Sequence, residues 1–180
     1  PTGTFTVGTG NTAHVCVSPG LAIPDNNATG VTSDLVVPDN LSITGLTVTV
    51  NITHTWIGDL IVELRKGATT VRLHNRTGDS ADDIVGTYPT TLTVDGPGTL
   101  ADFNGQNSSG TWTLFVSDNA ADDVGSLGSW CVDITGTPIA SCPAVTGLSA
   151  TSGIVGSTVV LTGSNFTGVT DVSFTNNVPA

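Results

Sequence analysis

The chain has 180 residues, of which 38% are hydrophobic and only 11% charged. That length leaves room for one or two small domains. Four Lys and Arg against fifteen Asp and Glu give a net charge of −11, a surface that repels nucleic-acid backbones and anionic bilayers. No apolar run approaches the ~20 residues that span a bilayer as a helix.

Taken in chain order, short stretches of alternating apolar and polar residues recur, and no segment sustains a helical period. Strands are expected at residues 4–7 and 13–17, with a turn at Pro24-Asp-Asn-Asn27 and a brief strand at 35–37 stopped by Pro38. The central stretch is 43–65. On its first half Leu46, Val48, Val50 and Ile52 alternate with Thr47, Thr49 and Asn51; on its second half Leu60, Val62 and Leu64 alternate with Ile61, Glu63 and Arg65. A period of two means one buried and one wetter face per strand. Between the halves lies the corner His54-Thr-Trp-Ile-Gly-Asp59, where Gly58 suits tight backbone and Asp59 stands at the exit, able to cap it through backbone N–H groups.

Lys66-Gly67 then reads as a hairpin turn, with 71–74 returning. Residues 77–88 read as a long polar excursion carrying Asp79, Asp82 and Asp83, and 92–94 as a short strand before Gly96-Pro-Gly98. Trp112, Leu114 and Val116 form the next buried face. An acidic loop over 118–128 leads to Trp130, Val132 and Ile134, which close the series. Many short strands with Asp-rich connections predict an all-β fold, two antiparallel sheets packed as a jelly-roll-like sandwich.

Five pieces in order carry a family likeness: Ile23-Pro-Asp-Asn26, Thr53-His-Thr-Trp-Ile-Gly-Asp-Leu60, Leu100-Ala-Asp-Phe-Asn-Gly105, Gly110-Thr-Trp-Thr-Leu114, and Val116-Ser-Asp118 running on to Gly125-Ser-Leu-Gly-Ser-Trp130. Residues 1–137 so resemble the P domain (P/Homo B) that accompanies subtilisin-like proprotein convertases and occurs in secreted bacterial proteins. The resemblance implies the same jelly-roll fold and a non-catalytic role, since catalysis in that family belongs to a separate protease domain. After a linker at 138–141, the style changes. Gly156-Ser-Thr-Val-Val-Leu-Thr-Gly163 followed by Phe166 has the spacing Gly-x-x-Val-x-Leu-x-Gly-x-x-Phe, which is similar to the opening of an IPT/TIG immunoglobulin-like domain. Residues 142–180 have room for about three strands, where a whole immunoglobulin-like sandwich takes about seven. This segment is either truncated or completed by another chain.

Cys16 and Cys131 each lie between residues of inward parity, Val15 and Val17 for one, Trp130 and Val132 for the other. Both sulfurs then point away from the core, and a bridge between neighbouring strands is expected, contributing ~4–5 kcal/mol by chain entropy. Cys142 is left over; it pairs outside the chain or displaces Cys16 as partner of Cys131. A bridge implies an oxidising compartment, and a single Lys with no Met and abundant Thr also reads as secreted or cell-surface. No basic-then-apolar leader stands at Pro1, which reads as a mature or excised segment.

No arrangement of His14, His54 and His74 with a nucleophile elbow is evident, so the chain is not expected to be an enzyme. His54 is expected to be held by backbone or Asp contacts, and His74 to meet solvent. Calcium is the expected cofactor candidate. It takes six to eight oxygens, and all but one of the acids are Asp, the short-reach oxygen donor. Asp82 with Asp83, and Asp118 with Asp122 and Asp123, offer two donor loops; Asp25, Asp59 and Asp102 lie at other turns. Trp56, in the corner, is a candidate sugar platform, whereas Trp112 and Trp130 have core parity.

The function expected is a stabilising or binding module of a secreted or cell-surface bacterial protein, its partners being other domains of the same polypeptide, a protease domain among them. Nucleic acid and membrane insertion are excluded by charge and hydropathy. Two alternatives stand beside it. One is a subunit of an extracellular fibre, joined to copies of itself by strand complementation through 142–180; the other is a carbohydrate-binding module.

Overall fold

A computed structural model describes residues 11–139, 144–149 and 158–166 of the chain. The expected strand at 4–7 and the odd Cys142 lie outside the described residues. Two compact units are present, Thr9–Ile139 and a second that takes in the chain from Ala140 onward.

Nine strands build the first unit: β1 (Thr12–Val17), β2 (Leu21–Ile23), β3 (Asn27–Val37), β4 (Leu41–His54), β5 (Leu60–Lys66), β6 (Thr69–Asn75), β7 (Ile84–Tyr88), β8 (Gly110–Asp118) and β9 (Gly125–Pro138). One sheet has the order β1-β9-β4-β7, with β2 also paired to β9; the other has the order β3-β8-β5-β6. Every pairing is antiparallel. The apolar rows of the two sheets, Val48, Val50, Ile52, Trp130 and Val132 from one and Val62, Leu64, Trp112, Leu114 and Val116 from the other, belong to a single buried cluster. This is the all-β sandwich expected from the alternation. Both core tryptophans find acceptors inside: Trp112 Nε1 donates to the Ser108 carbonyl at 2.9 Å and Trp130 Nε1 to Ser33 Oγ at 2.9 Å.

Strand β4 would lose its facing if alternation were strict, because Ile43 and Leu46 are both buried though three residues apart. The register slips between Ile43 and Gly45 opposite β9. One extra residue at this bulge resets the parity, so the whole run from Leu46 to His54 keeps its apolar side inward.

Two expectations fail in the middle of the chain. The polar excursion ends in a true strand, β7, which pairs with β4 from Val48↔Tyr88 to Ile52↔Ile84. Ile84 and Tyr88 are buried, but Gly86 between them interrupts the apolar signal. Residues 92–94, in contrast, form no ladder; Leu92 and Val94 pack on the core from a loop. In the second unit, β10 (Ala144–Leu148) pairs antiparallel with β11 (Leu161–Ser164).

Candidate functional site

The register gathers one acidic rim. Asn27 and Leu60 both lie opposite Asp118, and Ile23 and His54 both lie opposite Gly125. The turn before β3, the corner between β4 and β5, and the loop between β8 and β9 therefore share one end of the sandwich. The loop before β7 joins them through Ile57 N–H to the Ala81 carbonyl, 3.0 Å, and Gly58 N–H to the Asp79 carbonyl, 2.9 Å. Of the eight candidate calcium ligands, Asp25, Asp59, Asp82, Asp83, Asp118, Asp122 and Asp123 fall on this rim. Asp102 does not. It precedes Gly105, whose N–H donates to the Ile43 carbonyl, on the order of 30 Å along β4 from His54 at strand rise. Both its carboxylate oxygens are engaged at 3.1 Å by the Thr99 N–H and hydroxyl, as a cap.

Gly58 has its place at the corner for lack of room. A Cβ there would meet the Asp79 backbone at 2.9 Å and Trp56 Nε1 at 3.1 Å. Behind the corner, His54 and Asp118 form a fully buried pair, Nε2 donating to Oδ2 at 3.1 Å. Nδ1 of His54 lies against the Trp56 main chain, 3.2 Å from its N–H and 2.9 Å from its carbonyl. The second Asp118 oxygen accepts from Ala120 N–H at 3.1 Å, and Asp83 accepts from the His54 N–H at 2.9 Å. Asp123 accepts from Thr55 Oγ1 at 2.6 Å. His54 is thus held by Asp and backbone contacts. His74 differs from expectation: it is buried, with Nε2 donating to the Ile57 carbonyl at 2.9 Å, because β6 turns that face toward the corner rather than toward water.

Asp59 stands apart within this set. It is 8% exposed, yet among the described residues its carboxylate accepts no hydrogen bond, and its nearest cation is Arg76 Nη2 at 3.9 Å. Burial, then the Asp118 charge, push its carboxyl above the ordinary carboxylate value; Arg76 pulls it down, Asp123 adds to the rise, and His54 opposes it. Asp25, Asp82 and Asp122 are exposed on the outer loops. Trp56 is 41% exposed at the corner.

Among the described residues, His14, Cys16 and Cys131 are the one group of three potential ligands whose atoms all lie within 4.8 Å of one another. Cys16 and Cys131 form the expected disulfide, directly opposite each other on β1 and β9. Sulfurs bonded to each other are not thiolate ligands. The grouping of His14 with the bridge escaped the sequence reading. The signal was present, because His14 and Cys16 are two apart on a strand and so share a face.

The model of the proprotein convertase P-domain family matches residues 43–134. This chain belongs to that family. Outside the family model, the P domain here is 37% identical over 128 residues to leupeptin-inactivating enzyme 1 of Streptomyces exfoliatus, covering 62% of this chain and 27% of that protein. It is 38% identical over 116 residues to a calcium-dependent protease of Nostoc sp., covering 62% of this chain and 17% of the relative. The chain therefore matches only about a quarter or less of these curated relatives' length. In fold, the P domain resembles part of a serine protease of Aeromonas sobria solved in complex with its chaperone, with a TM-score of 0.50 at 18% identity over 71% of this chain and 27% of that one.

Proposed function

We propose that this P domain is a non-catalytic accessory module of a secreted bacterial protease, and that it works by packing on and stabilising the catalytic part. The observation that carries the reading is the state of the buried His54–Asp118 pair. Both side chains are wholly out of solvent, and both ring nitrogens of His54 are occupied by Asp118 and Trp56. A general base must reach a nucleophile and a substrate, and this one reaches neither. The disulfide fits an oxidising destination. The relatives, an enzyme and a calcium-dependent protease of each of which only a part aligns, support a module carried by an enzyme. The test uses the purified chain and a subtilisin-like protease with and without the domain fused to it. No peptide hydrolysis by the chain alone, with a longer half-life of the fused protease, is expected. Hydrolysis that co-purifies with the chain, or equal half-lives, would overturn the reading.

The acidic rim supports a calcium role within the same function. Its donors are hard oxygens, and among the described residues the nearest cation to the Asp59 carboxylate is Arg76 Nη2 at 3.9 Å. No three acidic side chains on the rim sit within mutual ligand distance among the described residues, so backbone carbonyls and water would complete the shell around Asp59 and Asp123, with Asp118 engaged by His54 and Ala120 behind them. Calcium there would neutralise carboxylates that repel one another. A ligand that prefers the folded state must raise the melting midpoint, by about 2.7 kcal/mol of stability at a hundredfold excess over Kd. Calcium against chelator should move the midpoint of the parent chain, and Asp59→Asn should cancel the shift. An unmoved midpoint at saturating calcium would remove the site.

The segment from 142 onward, read as the start of an IPT/TIG-like domain, would then be a second module of the same polypeptide. The β10–β11 pairing supports a β-structured piece there.

A further inference from the structure

The exposed face of β1 carries an arrangement that the accessory role does not use. Nε2 of His14 lies 3.2 Å from Sγ of Cys16, and Nδ1 lies 2.5 Å from Oδ1 of Asp133. The His14 and Asp133 side chains are 65% and 46% exposed. Cys131 has no such companion in the ladder, since its neighbour on β4 is Thr49. One sulfur of the disulfide therefore has a proton donor against it, and the other does not.

We infer that Cys16–Cys131 is a thiol–disulfide exchange site for a low-molecular-weight thiol, with Cys16 as the leaving sulfur and the His14–Asp133 pair as its proton donor. Exchange runs faster when the departing thiolate is better stabilised. A carboxylate and a disulfide sulfur only accept hydrogen bonds, so the ring that meets both is the imidazolium: Asp133 holds Nδ1–H and aims Nε2–H at the sulfur. In the first step the attacking thiolate bonds to Sγ of Cys131. The Sγ–Sγ bond breaks, its electron pair leaves on Sγ of Cys16, and Nε2–H of His14 supplies the proton. In the second step another thiolate attacks the added thiol's sulfur in the mixed disulfide. The small disulfide departs, and the electron pair left on Cys131 takes a proton from water. Two small thiols are oxidised to their disulfide, and the protein bond takes up the two electrons and two protons. The bridge ties the edge strand β1 to β9, so opening it would release the covalent hold on that edge.

The test uses the full chain with Cys142→Ser, so that one cysteine pair remains, and glutathione as the thiol. Brief exposure followed by alkylation should place glutathione on Cys131 and the alkyl group on Cys16. His14→Ala should slow opening about tenfold and Asp133→Asn by a smaller factor, and both differences should vanish in denaturant, where the contact is gone. Should His14→Ala fail to fold, the mapping in the parent chain still decides. Glutathione found on Cys16, or equal rates in folded parent and His14→Ala, would overturn the proposal.

Discussion

Asp59 and Glu63 sit within five residues of each other and respond to pH in opposite senses. The Asp59 carboxyl is raised, by burial first and the Asp118 charge second. Its folded form favours the proton, so its contribution to stability is present below the ordinary value of 3.8 and is lost as pH rises through the raised one. For Glu63, burial pushes upward, but hydrogen bonds from Arg65 and Arg72, each 2.7 Å at its shorter contact, together with their charges, outweigh it and lower the carboxyl. Its contribution is present above 4.5 and is lost as pH falls through the lowered value. Asp59→Asn should therefore stabilise the calcium-free chain at pH 7 and lose that advantage near pH 4. Glu63→Gln should cost roughly 1–2 kcal/mol at pH 7, a value reduced by the partly exposed arginines, and less in acid. Denaturant unfolding at both pH values reads both signs. His54→Ala should be the more severe change. It strands the Asp118 carboxylate in the interior, and losing one member of a buried pair costs about 3 kcal/mol or more.

β4, β9 and the corner meet without room to spare at Gly125. Gly125 begins β9, and a Cβ there would lie 2.0 Å from the Thr53 carbonyl oxygen and 2.6 Å from Cδ2 of His54. Gly125→Ala must push the strand from the corner, at a cost of about 1–3 kcal/mol from overpacking. Gly67→Ala is a useful contrast: its Cβ would meet nothing within 4 Å, but the backbone there has φ 56°, so it should cost only the strain of about 1 kcal/mol. The Cys16–Cys131 bridge spans 115 residues of sequence, and replacing both cysteines with serine should lower stability by up to ~4–5 kcal/mol in the chain-entropy model. Thermal melts of the three variants give the comparison. At this scale the alternating rows of β4, β5, β8 and β9 were plain in the sequence, because a two-residue period survives wherever one face is buried, whereas β3 runs over Asn27–Val37 and only its end at 35–37 was expected. β7 was hidden, since five residues with a central Gly86 carry too little pattern. Residues 92–94 misled in the other direction: an apolar pair two apart marks contact with a core, and only a free partner strand makes it a ladder.

For the whole molecule, every buried apolar residue among those described lies between Ala13 and Ile134. The unit Thr9–Ile139 therefore holds the buried apolar core of the described residues, and a fragment of those residues should unfold cooperatively with a midpoint within a few degrees of the full chain. A broad or much lower transition would show that the chain after Ile139 contributes to the core.

The sequence by itself determined the sheet faces, the antiparallel sandwich and the P-domain resemblance, because alternation and side-chain parity are local properties that burial leaves written in residue order; it favoured the pairing of Cys16 with Cys131 but left Cys142 as a rival, and the β1–β9 register decided it. Only the tertiary structure decided that Asp102 stands at the far end from the other candidate ligands, that Asp59 is buried beside the Asp118 charge, and that His14 leans on Cys16 with Asp133 behind it. Those facts follow from strand order and register. Both are set by how two sheets close on one core, a long-range outcome that no window of neighbouring residues contains.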